Sequence, residues 1–544
     1  MVKDNVASFL ELIEHGDKYF SSSSYQHALN YFEKALLIEP AASELLYKIG
    51  FCYLQSSNHL RSRAYFENSL HVDATHEKSN LNLGFVSNLL GDIEKAIHYF
   101  QTTCHINPSN FASNYNLGIA YFNQKNVELS KKFLHRAAHL NPLSHEVAYN
   151  LGVISNQIGN HAQAVKRYLQ SIAIEPSQCS SFFNLGVSYF ELSNPQKAID
   201  SYRLALIIDS EHIQSHWNLS HCLLLVDDYK NGFLEYEWRW KQNESFYQQK
   251  QRSFASDLWL GQTPLNNKTL LIYAEQGFGD TLQFIRFCKH PALKNASLIV
   301  EVQKDLVSLI QSSLPNIKVI GSGQEVFESD FHIPLMSLPL ALGISNPFSI
   351  DSRPYIHPSE RTVEDWRVKT SIFQKPRVGL VWSSGYRKEQ EETWEANKKR
   401  NLQLLSLHFL KEFDACFFTL QKGFIPQSEF ASLMSEKWGG PSLIDFTEEL
   451  TDFEQTAALI SQLDLIITVD TSVAHLAGAM GKQTLLMLKF NADWRWHHLS
   501  ESSIWYPNTK IFRQSKPSDW EVPLQQLRQF LRSIIVTTDY IELL

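Results

Sequence analysis

The sequence predicts an α-solenoid followed by a two-lobed α/β module, and three observations carry that prediction. Gly16, Gly50, Gly84, Gly118, Gly152 and Gly186 fall 34 residues apart, and Ser220 takes the next slot. From about residue 268 the helical period gives way to short apolar runs separated by helical stretches. Late in the chain one such run, Leu465–Val469, stops at Asp470-Thr471-Ser472, and an Ala/Gly-rich helical pattern begins at once.

The repeat comes first in the chain. Twelve positions after each glycine stands a small residue (Ala28, Ser62, Ala96, Ser130, Ala164, Ala198), and four later a bulky one (Phe32, Phe66, Phe100, Leu134, Tyr168, Tyr202). Pro40, Pro108, Pro142 and Pro176 close four of the units. Small residues let two helices approach, the bulky residue fills the space between units, and proline ends a helix. This period and residue order resemble the tetratricopeptide repeat, a pair of antiparallel helices per unit, over residues 1–245. Stacked units give a superhelix whose concave face suits an extended ligand.

Two residues before the later glycine slots stands asparagine: Asn82, Asn116, Asn150, Asn184 and Asn218. A carboxamide both donates and accepts, so one per repeat can pair with the backbone of an extended peptide whatever its sequence. The slot resembles the asparagine ladder in the repeat domain of nucleocytoplasmic O-GlcNAc transferase, which holds protein substrates; it is also a common local packing solution. A repeated polar clamp for a C-terminal carboxylate is missing, because the position after each glycine is mostly apolar (Asp17, Phe51, Phe85, Ile119, Val153, Val187). Trp238 and Trp240 are expected to pack the array against the next domain, and 241–251 reads as a polar connection.

Beyond it, strands are expected at 269–274, 297–302, 318–320 and 330–333 in one lobe. In the other they fall at 377–382, 415–420, 443–446, 465–469 and 484–488. The charged stretch 354–376 reads as a hinge, and an amphipathic helix near 522–532 closes the second lobe. In the first lobe Gly277 and Gly279 follow the first strand and Asp280 begins a helix. This is not a dinucleotide fingerprint, since Leu282 holds the third glycine's place. Asp280 reads either as an N-cap or as a base in the crevice at a strand's C-terminal end. In the second lobe, the free N–H groups at the start of the helix after Leu465–Val469 make a site for an anionic group such as a diphosphate.

EQGFGDTLQFIRF, VGLVWSSG, FFTLQKG, DFEQTAALISQLDLIITVDTSVAHLAGAMGK, DWRW and SSIWYP, in that order over about residues 250–520, resemble the tetratricopeptide-linked branch of the heptosyltransferase-like glycosyltransferases. The resemblance implies a GT-B fold of two Rossmann-like lobes, 246–357 on the acceptor side and 376–544 on the nucleotide-sugar side. It also implies inverting transfer from a sugar nucleotide without a required metal, and the chain has no Asp-x-Asp motif. Carried over residue by residue, Asp280 would take the acceptor proton, while Asp470, Thr471, Ser472 and His475 would lie at the donor diphosphate. Thr471 and Ser472 would bind phosphate, and Asp470, which phosphate would repel, suits cap or ribose contacts. Arg400, before a helix expected near Asn401, would supply the cation, with Lys399 as the alternative. Gln421 and Lys422 would contact base or ribose. Asp493, Trp494 and Trp496 would close the cleft, and the acidic insertion 389–395 departs from the family pattern.

Composition narrows the partners. A net charge of −8 and 19% charged residues give no reason to expect nucleic acid, and no apolar run reaches membrane-spanning length. Six cysteines without a CxxC pair suit a reducing compartment, so a cytoplasmic protein is expected, with no cofactor and no metal. The expected function is transfer of a sugar from a nucleotide diphosphate to a protein Ser or Thr hydroxyl held by the repeats. Transfer to a glycan or lipopolysaccharide-type acceptor, with the repeats docking a partner, is one alternative. An inactive scaffold is the other.

Overall fold

The computed structural model describes residues 2–242, 254–324, 328–373, 376–384, 399–423 and 439–535. The acidic insertion 389–395 and most of the connection 241–251 lie outside the described residues. The chain divides into two compact units, Met1–Leu192 and Ser193–Leu544. The sequence period runs on to about 245, so the last helices of the repeat pattern belong to the second unit.

The first unit is eleven helices in sequence, from Val2–Ser21 to Cys179–Glu191. Its local chemistry repeats every 34 residues. Each second helix ends two residues before the expected proline, at Ile38, Ile106, Leu140 and Ile174. Asn58, Asp92, Asn126 and Asn160 cap the second helices by accepting an N–H from the helix's first turn. The residue before each cap turns into the left-handed region: φ is 56° at Ser57, 79° at Gly91, 63° at Lys125 and 77° at Gly159. The periodic glycines meet the periodic bulky residues. A Cβ on Gly50 would stand 2.7 Å from the Phe66 ring, and one on Gly152 would stand 2.6 Å from Tyr168.

The second unit begins with the helices Pro195–Ile208, Ile213–Leu225 and Tyr229–Tyr236, followed by two parallel sheets. In the first sheet, β1 (Asp257–Leu258), β2 (Thr269–Tyr273), β3 (Ser297–Val302), β4 (Lys318–Gly321) and β5 (Phe331–Pro334) run in the order β1-β5-β2-β3-β4. The second contains β6 (Arg377–Val381), β7 (Cys416–Thr419), β8 (Leu443–Asp445), β9 (Leu465–Val469), β10 (Thr484–Leu488) and β11 (Thr509–Arg513), in the order β11-β10-β9-β6-β7-β8. Strand order reverses between β2 and β5 in one sheet and between β6 and β9 in the other. Ligands of open parallel sheets bind at such reversals, beyond the strands' C-terminal ends. Gly277–Asp280 follows β2, and Asp470–Ser472 follows β9. The module is therefore two Rossmann-like lobes, each with its expected motif at its own switch point.

Two expectations are corrected. The stretch 354–376 carries the helix Glu360–Thr370, capped by Ser359, with Trp366 buried and its indole N–H on Gln455 at 2.9 Å. The stretch is thus helical and not without period, and Trp366 binds this charged helix to the second lobe. Nor is the docking of the last repeat left to Trp238. Trp238 stacks on His216 with ring centroids 3.5 Å apart. The joint is built instead by Arg239, which donates to Glu275 at 3.1 Å and to Ser337 at 2.7 Å, and by Tyr229 and Phe233 against Trp505 and Trp494.

Gly152→Ala and Gly159→Ala separate packing from backbone strain. The first drives a Cβ into Tyr168 and should cost about 1–3 kcal/mol. The second meets nothing within 4 Å and should cost only about 1 kcal/mol, for the left-handed φ of 77°. Urea unfolding of the two variants checks this order; equal losses would mean that the contact with Tyr168 relaxes freely.

Candidate active site

The two switch points meet through the helices Phe278–Phe284 and Ser472–Ala479, which pack on one another. Gly279 permits the approach, since a Cβ there would lie 2.7 Å from His475 Cδ2. The next residue, Asp280, is not the N-cap itself but the third helical residue, whose carboxylate reaches back to the N-cap Gly277. Its Oδ2 accepts the Gly277 N–H at 2.9 Å, and its Oδ1 accepts Arg495 Nη2 at 2.7 Å. Its side chain stays 24% exposed.

Across from it, Thr471 takes an extended conformation and is the N-cap of the Ser472–Ala479 helix without a side-chain cap bond. Its hydroxyl instead meets Thr468 Oγ1 at 3.2 Å. The first hydrogen bonds back to Thr471 O come from Ala474 and His475, so the Ser472 and Val473 N–H groups precede the first intrahelical acceptor. Such N–H groups at a helix start are donors of the kind that suit an anion.

Asp470 is buried and accepts the Trp496 indole N–H at 2.9 Å. Burial raises its pKa, and the positive charges of Arg400 and Lys489 act against that rise. His475 is buried too, stacks on Trp496 with centroids 5.0 Å apart, and places Nδ1 3.0 Å from the Tyr506 hydroxyl. Burial, reinforced by the neighbouring Arg495 charge, pushes its pKa down to about 3, so the ring is neutral at pH 7. Arg495 also donates to Asp493 at 2.8 Å. Burial works against ionisation of Asp493, but the guanidinium outweighs it and holds the carboxyl down to about 2.

The remaining predicted residues divide. Arg400 lies close enough for its charge to act on Asp470, but it does not precede a helix at Asn401. Asn401 instead accepts the Ser384 N–H at 2.8 Å, and the next helical element, Leu404–Glu412, is of the 3-10 type. Lys399 is exposed. Gln421 has its whole amide engaged on backbone. Its oxygen accepts the Trp382 and Ser383 N–H groups, and its nitrogen donates to the Ser383 and Lys422 carbonyls. That side chain ties the ends of β6 and β7 together and has no group to spare for a nucleotide. Lys422 is exposed and donates to the Leu450 carbonyl.

In the ladder, Asn82, Asn116, Asn150 and Asn184 each donate Nδ2 to the carbonyl four residues back. Asn150 and Asn184 also donate to the tyrosine of the preceding repeat, Tyr115 and Tyr149, at 3.1 Å. Asn82 and Asn116 thus place one donor bond within the repeat, and Asn150 and Asn184 place two. Asn218 is half-buried in the second unit.

Sequence reasoning passed over Arg495, which lies inside the quoted DWRW, and also Lys489, Tyr506 and Arg513. Arg513, at the end of β11, holds the Trp496 and His497 carbonyls at 3.0 and 2.8 Å. Burial lowers its pKa to about 10, with the Asp470 charge in opposition. Among the described residues no group of three or more His, Cys, Asp or Glu side chains is placed to hold a metal, and no helix is long and apolar enough to cross a membrane.

Residues 450–502 match Glycosyltransferase family 9 (heptosyltransferase), the segment that carries Asp470 to Trp496, and residues 180–212 match the tetratricopeptide repeat. The chain is 26% identical over 303 residues to Protein FlbA of Caulobacter vibrioides, a match spanning 50% of this chain and 48% of that one. Among solved structures, the tetratricopeptide protein YrrB aligns at 20% identity over 34% of this chain and 95% of its own, with a TM-score of 0.32. A tetratricopeptide repeat protein from Parabacteroides merdae aligns at 16% identity over 45% and 97%, with a TM-score of 0.36. The chain thus combines tetratricopeptide repeats with a segment similar to family 9 glycosyltransferases.

The imidazole of His475 gives a pH test. In the unfolded chain it protonates near 6.5, and in the folded chain only near 3. Between those values the unfolded state binds the extra proton, so folded stability falls as pH drops from about 6.5 toward 3. His475→Gln should flatten the decline in Tm between pH 6.5 and 4. An unchanged slope in that variant would show that His475 is protonated in the fold.

Proposed function

We propose that the α/β module transfers a sugar from a nucleotide diphosphate to an acceptor hydroxyl, with inversion and without a metal, and that the acceptor is a protein held by the repeats. The observation that carries the reading is the juxtaposition of Asp280, on the first lobe's crevice, with the anion-binding helix end at Ser472 and the neutral His475. A base and a diphosphate site facing one another are what single displacement needs. The match of residues 450–502 to a glycosyltransferase family supports the same class.

In the proposed step the Asp280 carboxylate takes the proton of a Ser or Thr hydroxyl as its oxygen bonds to the anomeric carbon. The bond from that carbon to the diphosphate breaks on the opposite face, and the electron pair leaves with the nucleotide. The Ser472 and Val473 N–H groups, with Arg400 and Lys489 nearby, would offset the developing charge, an electrostatic contribution of about 3–4 kcal/mol per well-placed donor. Asp470 is held by Trp496 and would shape the pocket instead of touching phosphate.

A thermal-shift titration against ADP, UDP, GDP, TDP and CMP tests the donor site. One diphosphate should stabilise the chain, by about 2.7 kcal/mol at a hundred times its dissociation constant, and Asp470→Ala and Thr471→Ala should remove the effect. Asp280→Asn should keep that stabilisation while abolishing transfer. If no nucleotide stabilises the protein at millimolar concentration, it is no transferase and the scaffold reading replaces this one.

The ladder separates a protein acceptor from a glycan. With Nδ2 held on the helix backbone, Asn82, Asn116, Asn150 and Asn184 would use Oδ1 to accept N–H groups of an extended peptide. Alanine at all four should lower glycosylation of protein acceptors in a lysate by tenfold or more, with nucleotide-sugar hydrolysis unchanged. Equal transfer by both forms would favour the glycan acceptor.

A further inference from the structure

The second unit buries several guanidinium groups, and burying a charge is costly unless partners replace its water. Arg239 is surrounded by Glu237, Glu275 and Ser337 at the joint with the last repeat. Arg495, with its side chain 7% exposed, is held differently. One Nη donates to Asp493 and the other to Asp280, 215 residues away in the other lobe. Its guanidinium carbon stands 4.5 Å from the Trp494 ring centroid and 5.8 Å from that of Phe284, so neither end is free to swing.

Two carboxylates therefore share one cation. Asp280 has one oxygen on the Gly277 N–H and the other on Arg495, which fixes its rotamer and leaves a lone pair on each oxygen for an incoming hydroxyl. A guanidinium alone beside a base would make it a poor proton acceptor. Asp493 draws on the same guanidinium and offsets that loss, leaving the chain Asp280–Arg495–Asp493 with one net negative charge.

Resting on the reading of Asp280 as the base, we propose that Arg495 is its positioning residue and that Asp493, by sharing the guanidinium, sets how strongly Arg495 attracts it. Other groups facing this chain come from several elements, and Asp470, which follows β9, acts on Asp493. His475, on the Ser472–Ala479 helix, acts on Arg495 and Asp280 as a neutral ring and is itself near Arg286. His221, on Ile213–Leu225, faces Asp493 and Arg495, and burial lowers its pKa. Tyr236, on Tyr229–Tyr236, faces Arg495.

The test follows release of nucleoside diphosphate from ADP-, UDP-, GDP- and TDP-glucose by the full chain between pH 4 and 9. Arg495→Gln removes the cation and should move the acid limb of the rate profile upward by about one unit or more. Asp493→Asn leaves Arg495 to Asp280 alone and should move the limb downward. Arg495→Lys keeps the charge without the two-armed geometry, so the limb should return to its wild-type place at a several-fold lower kcat. KM for the donor should stay within twofold in all three.

A purely structural clamp would lower Tm and rate without shifting the limb in opposite directions, and that result overturns the proposal. So does a rise in donor KM in Arg495→Gln, which would place Arg495 on the donor. If Arg495→Gln does not fold, the direction of the Asp493→Asn shift decides alone. Asp280→Asn is the control. Activity retained in that variant removes the base reading itself. An inactive Asp280→Asn beside unmoved limbs in the others removes only this inference. No release from any of the four donors by the wild-type chain removes both.

Discussion

The close approach of the two α/β lobes is made through an absent side chain, and much of the site depends on it. Gly279 brings bare backbone against the edge of His475, which sets Asp280 one residue further on within reach of Arg495. The same closeness strips water from His475, Asp470 and Arg495, and each then needs another partner. Tyr506 and Trp496 serve the first two, and carboxylates serve the third. The site is a place where desolvation has been answered group by group. Its charges are therefore arranged by one another and not by solvent.

The repeat array solves a different problem by the same means. Each helix pair must turn back on itself, bury a bulky residue and end on time, and from the second unit onward one set of residues serves these needs. The left-handed residue reverses the chain, the following Asn or Asp caps the next helix, and the glycine makes room for the ring. The asparagine ladder is stitched into that framework through Nδ2, so its geometry is fixed by the repeat before any ligand arrives.

What could be read from the sequence follows how local each determinant is. The repeat and β9 were legible because period and apolar run lie within a few residues of one another. Two-residue β1, and β11 with its alternating TKIFR, gave too short a signal. The helix Glu360–Thr370 is charged enough to pass for a loop, and only Ser359 and Trp366 distinguish it. Asp280 and the Asp470–His475 motif were placed at their crevices because strand ends announce them. Gln421 was misread because its partners, Trp382 and Ser383, lie 39 and 38 positions away. Arg495 was passed over because its meaning is a carboxylate 215 positions upstream, which no local pattern contains.

Arg239 carries one more consequence. It belongs to the last helical segment of the repeats, yet its guanidinium is completed by Glu275 and Ser337 of the first lobe, and burial raises the pKa of that glutamate to about 7 with Arg239 in opposition. A helix bound only by apolar faces could be removed without unpairing a charge. Removing this one takes the cation from a buried glutamate of the first lobe, so the helices after Ser193 are held to the module by a charge as well as by packing.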